Sequence, residues 1–314
     1  MLLLLLSMKQ YVSPFSILGI DASQSADKQS VTLAKKKLLA EIELSSSQTI
    51  FISGKEMTKN DILNLFDKWS SVSDFEFHIK VAKEKALLDF LESKIYTPKS
   101  ERFKSDYSHL HQDDDFVEKI SPYFAEAYSN AFKNFWKSGT GYELRKFFDE
   151  KPDLMMPEDE ELANNKICAI LTKEENQIEQ LSERAENKRI ISREQFLPYC
   201  NNNNIALLNA LPEDEFGWLR DNITFALYNL SASLWNNDAP YDAQDIINAL
   251  LKINCSERLK EAIEERSATF ERLLNEHNAS QAAASVDNSS NGFESLWTAL
   301  RIIFVLIIMA RACN

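Results

Sequence analysis

From Phe116 to His277 the chain repeats apolar residues at helical spacing, broken only by short polar or proline-bearing stretches. Apolar positions three and four apart place one face of each helix in a core, and short links between such helices make antiparallel neighbours. Phe116 to Trp136 is rich in aromatics: Tyr123, Phe124, Tyr128, Phe132, Phe135 and Trp136 form a stripe suited to a core. Ser138-Gly-Thr-Gly141 reads as a turn and Lys151 to Pro157 as a loop. Ser192-Arg-Glu-Gln195 matches a capping box, and Cys200 to Asn204 is a polar break. Glu213 to Trp235, Tyr241 to Ile253 and Ser256 to His277 then read as three successive helices. The chain holds only six glycines and eight prolines in 314 residues, which argues against glycine-rich phosphate loops and many-turned β-sandwiches.

The N-terminal part reads differently. Val31, Ala34, Leu38, Leu39 and Ile42 fall on one face of a helix ending at Leu44, with Lys35, Lys36 and Lys37 largely beside or opposite it. Thr49-Ile-Phe-Ile52 is a β-branched and aromatic run closed by Gly54, the pattern of a strand and turn. Thr58 is the candidate cap of a following helix, whose stripe is Ile62, Leu63, Leu65, Phe66 and Trp69. One further helix is expected from about Phe75 to Leu91, and Pro98 closes the unit. The expected fold is therefore mainly α: a helical bundle with a small N-terminal α/β unit, one short strand pair at most, and a C-terminal hydrophobic helix. The expected boundaries are 8–98 for the N-terminal unit, 115–278 for the bundle, 279–292 for a polar linker and 293–313 for the terminal helix.

Two stretches resemble known families. Pro14-Phe-Ser-Ile-Leu-Gly-Ile20, then Asp21-Ala-Ser, then a basic helix through Lys35-Lys-Lys-Leu-Leu39, resembles the opening of a J domain. That resemblance implies a short first helix with a Leu-Gly turn and a basic second helix that docks on the heat-shock ATPase chaperone. It covers about the first 45 residues, and the chain departs from it where a His-Pro-Asp tripeptide is expected: Ser45-Ser-Ser-Gln48 and a strand stand there instead. Ala226-Leu-Tyr-Asn229 followed by Tyr241 to Leu251 and a long charged helix is similar to a tetratricopeptide-type hairpin, with Ala243 and Ala249 as small contact residues. No 34-residue period recurs elsewhere, so this implies one hairpin rather than a solenoid.

The balance of 35 basic to 48 acidic residues gives a net charge of −13, the wrong sign for binding nucleic acid. Cys168, Cys200, Cys255 and Cys313 form no CxxC pair, which points to thiols in a reducing compartment. Asn222-Ile-Thr and Asn229-Leu-Ser match the glycosylation sequon but lie within an expected helix. Leu2 to Leu6 is too short for a secretory signal, which favours Met8 over Met1 as initiator. At the other end, Trp297 and Arg301 precede Ile302, Ile303, Phe304, Val305, Leu306, Ile307 and Ile308, and Arg311 follows. An apolar surface on every helical face, with Trp and Arg at the flanks, suits a bilayer anchor on the cytoplasmic side of a membrane. The alternative is a packed terminal helix in a soluble cytoplasmic protein, because the run is shorter than the roughly 20 residues of a full span.

His109-Leu-His-Gln-Asp-Asp-Asp115 is the one clustered metal-ligand set. In an extended segment His109 and His111 would point the same way, with Asp113 adding oxygen. The competing reading, which the expectation adopts, is a solvated loop whose aspartates favour the start of the next helix. His78 reads as a packed histidine, and His277 as one near a helix C-terminus. No GxSxG, HExxH, Walker or GxGxxG motif is present, and no cofactor is expected. The leading expectation is a membrane-tethered, non-enzymatic adaptor that binds other proteins through helical surfaces, with Lys35, Lys36 and Lys37 as a partner-binding patch and lipid as the tether's partner. The alternatives are a degenerate J-like co-chaperone and a metal-dependent enzyme using the His109/His111 region.

Overall fold

The computed structural model describes residues 11–20, 28–52, 55–67, 72–93 and 109–284. Among them the protein is mainly helical, with thirteen helices and one short antiparallel strand pair. It divides into two compact units at Ala169/Ile170.

The first unit opens with α1 (Pro14–Leu18) and α2 (Lys28–Leu44). The Ser13 side chain caps α1 by accepting from the Phe15 and Ser16 N–H groups, and Gly19 closes it at φ 64°, a left-handed conformation that suits glycine. β1 (Thr49–Ile52) and β2 (Lys55–Thr58) pair with Ile50 opposite Met57. These two side chains pack against a core of Ile17, Leu38, Ile42, Ile62 and Phe66, joined by Val31 and Leu39. α3 (Lys59–Asp67) begins where expected: the Asp61 N–H donates to Thr58 Oγ1 (3.2 Å) and the Thr58 N–H to Asp61 Oδ2 (2.9 Å).

The single helix expected from Phe75 to Leu91 is two, α4 (Val72–Lys83) and α5 (Lys85–Ser93). Phe77, His78 and Val81 are buried on α4, and Leu87, Phe90 and Leu91 on α5. The step from Val81 to Leu87 is out of phase with 3.6-residue periodicity. A break at Glu84, whose N–H bonds to the Val81 carbonyl (3.2 Å), lets both segments face the core.

α6 (Asp114–Ser138), α7 (Gly141–Asp149) and the start of α8 (Pro157–Glu186) complete this unit. Phe116, Phe124, Tyr128, Phe132 and Trp136 are buried along α6. Their rings meet the N-terminal elements and α7: Phe116 on Phe77 (5.5 Å), Phe124 on Phe90 (5.3 Å) and Tyr128 stacked on Phe147 (4.3 Å). Each such burial contributes roughly 1.5–3 kcal/mol, so the aromatic stripe ties α6 to what precedes it.

The second unit contains the remainder of α8 with α9 (Arg193–Cys200), α10 (Asn202–Asn209), α11 (Glu213–Asn236), α12 (Pro240–Leu250) and α13 (Glu257–Ala284). Asn201 forms the polar break, its side chain accepting from the Asn204 N–H to start α10. α11 and α12 pack most extensively, and Ala243 and Ala249 of α12 are buried. Trp235 of α11 stacks on Phe270 of α13 at 4.0 Å.

Candidate docking surface

The three lysines lie on α2, and the helix sorts them by azimuth. Val31, Lys35, Leu38 and Ile42 recur at inward spacing, with Leu38 and Ile42 buried. Lys35 therefore folds back over the core, its Nζ 4.8 Å from the centroid of the Phe66 ring. A cation over an aromatic face is attracted by the ring quadrupole, while the aliphatic stem covers apolar surface. Lys36 and Lys37 are exposed. Lys37 sits 4.0 Å from Glu41, an exposed pair one turn apart that constrains it little.

The outward face holds more than charge. Leu33 is 71% exposed and Leu44 87% exposed, with Ala40 exposed between them. These positions span about 16 Å along the helix axis and leave Lys36 and Lys37 bracketed by apolar surface. Sequence reasoning named the lysines and missed the leucines. The available signal was a second apolar recurrence at 33, 37, 40 and 44, opposite the inward one and with lysine at one of its positions. An apolar strip carrying two ammonium groups is suited to a partner that presents apolar side chains beside carboxylates.

The other candidate residues are not brought together. Residues 109–112 form a turn rather than an extended segment, so His109 and His111 do not act as a pair. His109 Nε2 lies 3.3 Å from a Glu84 carboxylate oxygen, whereas His111 Nδ1 lies 3.9 Å from Asp153. Asp113 caps α6, accepting from the Phe116 N–H (3.1 Å), and pairs with Lys80. The Lys80 hydrogen bond, then the Phe116 N–H, holds its carboxyl below the usual range. Among the described residues, no group of three or more His, Cys, Asp or Glu side chains is placed to hold a metal.

His78 is buried as expected. Its Nδ1 is 3.0 Å from the Tyr11 hydroxyl, and burial lowers its pKa to about 4, with Lys119 adding to the shift and Asp74 opposing it. A neutral imidazole sealed from solvent is a packing element here, beside a Tyr11 phenol that burial pushes up. Burial, then Asp245, pushes the Cys200 thiol up to about 12, the opposite of an activated nucleophile. His277 was expected near a helix end, but α13 runs on to Ala284, beyond the reach of a terminal dipole.

The anchor residues Trp297, Arg301, Ile302 to Ile308 and Arg311 lie outside the described residues, as do Met1 and Met8. Among the described residues no helix is long and apolar enough to cross a membrane. Comparison with protein-family models, with curated proteins and with solved structures gives no match.

Proposed function

We propose that this protein is a non-enzymatic adaptor that engages an acidic protein partner through the outward face of α2, with 293–313 tethering it to the cytoplasmic side of a membrane as a hydrophobic helix. The observation that carries this reading is the exposure of Leu33 and Leu44 on either side of Lys36 and Lys37. Exposed leucines aligned on one helix face contribute little to folding and offer apolar contact area to a partner. Lys36 and Lys37 supply the positive charge of this face, alongside the exposed Glu41 and Glu43, and would pair with carboxylates of the partner.

A labelled helical peptide with leucines three turns apart flanked by glutamates tests this by fluorescence anisotropy with the full chain. Lys36→Glu/Lys37→Glu should weaken binding about tenfold, and added salt should weaken it further. Equal binding by the wild type and the double variant contradicts the reading. Deleting 293–314 should move the protein from the membrane fraction to the supernatant. A full chain already soluble without detergent would remove the tether from the proposal.

A degenerate J-like co-chaperone is the second reading. It is supported by the short α1 ending in a left-handed Gly19 before the basic α2. The β1–β2 hairpin stands where the His-Pro-Asp loop is expected. Stimulation of chaperone ATP turnover that disappears in a Lys35/Lys36/Lys37 to Glu variant would favour it over the adaptor.

A further inference from the structure

α11 is enclosed around most of its circumference: Phe216, Leu219, Ile223, Leu227 and Leu230 are all buried. One line of the helix stays in solvent, and it carries Trp218 (56% exposed) and Phe225 (52% exposed). The two lie two turns, about 10 Å, apart on one face. Single exposed aromatics are ordinary, but an aligned pair that includes Trp has the composition of a protein-binding hot spot.

The line is also built to hold its shape. Phe225 stacks on Tyr228, ring centroids 6.1 Å apart and planes 20° apart. Tyr228 in turn rests on Arg266 of α13, whose guanidinium carbon is 3.2 Å from the ring centroid. Arg266 is buried and donates to the Tyr228 carbonyl and to Ser231 Oγ (3.4 Å). Phe225 therefore packs beside a Tyr228 that Arg266 holds in place, which limits the freedom its ring has left to lose on binding.

Carboxylates border this line. Asp214 and Glu215 are exposed one turn before Trp218. Asp221 lies between the two aromatics and accepts from the Ser256 N–H (3.2 Å). Glu175 of α8 is hydrogen-bonded to Asn222, and burial followed by the charge of Glu179 raises its carboxyl above the usual range. A cation placed beside Glu175 and Glu179 would relieve that repulsion.

We propose that the exposed line of α11 is a second docking face, independent of α2, whose occupant is an amphipathic helix of a partner protein presenting apolar residues two turns apart flanked by lysine or arginine. Charge complementarity selects that occupant, and the Trp218–Phe225 spacing sets its register. The test is anisotropy titration of the full chain with a helical leucine–lysine peptide and with its glutamate counterpart. The lysine peptide should bind the wild type and the glutamate peptide should not bind this face. Trp218→Ala/Phe225→Ala should weaken the lysine peptide about tenfold while leaving helix content and net charge unchanged. Glu175→Gln/Glu179→Gln should weaken it with both aromatics intact. Undiminished binding by the aromatic variant overturns the proposal, because simple attraction to an acidic chain would survive that change. Self-association of the full chain in sedimentation, abolished by the same variant, would also overturn it by assigning the face to a second copy.

Discussion

α2 and α11 each leave a line of large side chains in solvent, but they do so from opposite situations. α2 lies on the outside of its unit and buries a narrow inward stripe around Leu38 and Ile42. α11 is enclosed by its neighbours, with buried residues from Phe216 to Trp235 and one narrow exposed line. The outward chemistry differs as well: leucines with lysine and glutamate on α2, aromatic rings with carboxylates on α11. A peripheral helix can alter its outer surface freely, whereas a central helix can alter only the one line its neighbours leave open. The interiors follow the same divide. The first unit hides a neutral imidazole, His78, and the second a guanidinium, Arg266, whose pKa burial lowers only to about 10.

The largest expected effect separates the two helices by burial. Leu230 on α11 is fully buried, and Leu230→Ala should cost about 3–5 kcal/mol through lost transfer energy and the cavity left behind. Leu33→Ala on α2 should cost no more than about 0.5 kcal/mol. Urea unfolding monitored by circular dichroism checks both. Similar losses at the two leucines would erase the distinction between central and peripheral helix.

Acidification should come next in size and should strike the units differently. The His78 pKa falls from 6.5 to about 4 on folding, so the unfolded chain takes up the proton first as pH drops. The first unit should lose about 2 kcal/mol between pH 7 and pH 5 and approach 3 kcal/mol by pH 4. In the second unit the Glu174 and Glu175 carboxyls are raised, mainly by burial, so the folded state takes up their protons first and acid works the other way. Amide hydrogen exchange should show α4 and α6 opening at pH 5 while α11 stays protected. His78→Asn should flatten the response of the first unit. Equal sensitivity of both units would show that the imidazole does not control it.

The smallest effects belong to the outward lines themselves. Lys36→Glu and Lys37→Glu should each shift the melting transition by no more than about 0.5 kcal/mol, and Trp218→Ala, where the residue is 56% exposed, by no more than about 2 kcal/mol. A larger loss at Trp218 would assign it to the core rather than to a partner.

These differences decide how much could be read from the chain. The inward side of α2 was legible because Val31, Leu38 and Ile42 keep helical spacing, and the Thr58 cap, the polar break at 200–204 and the α11–α12–α13 succession were legible because caps and short links are local. The α4–α5 break was not, because a one-residue phase slip between Val81 and Leu87 is indistinguishable from irregular packing until both segments are seen to face one core. The outward aromatics of α11 were hidden for a related reason. On a helix apolar nearly all round, Trp218 and Phe225 look the same as Phe216 and Leu219. The placement of α6 with the N-terminal elements rests on Phe77–Phe116 and Phe90–Phe124, contacts that no local pattern encodes.

The proposed division of labour between α2 and α11 assigns acidic and basic partner helices to separate faces of one chain. It is tested most directly by titrating the leucine–glutamate and leucine–lysine peptides, each alone, into the wild type, Lys36→Glu/Lys37→Glu and Trp218→Ala/Phe225→Ala. The account predicts that the α2 variant loses only the glutamate peptide and the α11 variant loses only the lysine peptide. Loss of both peptides in either variant, or retention of both in each, would contradict it.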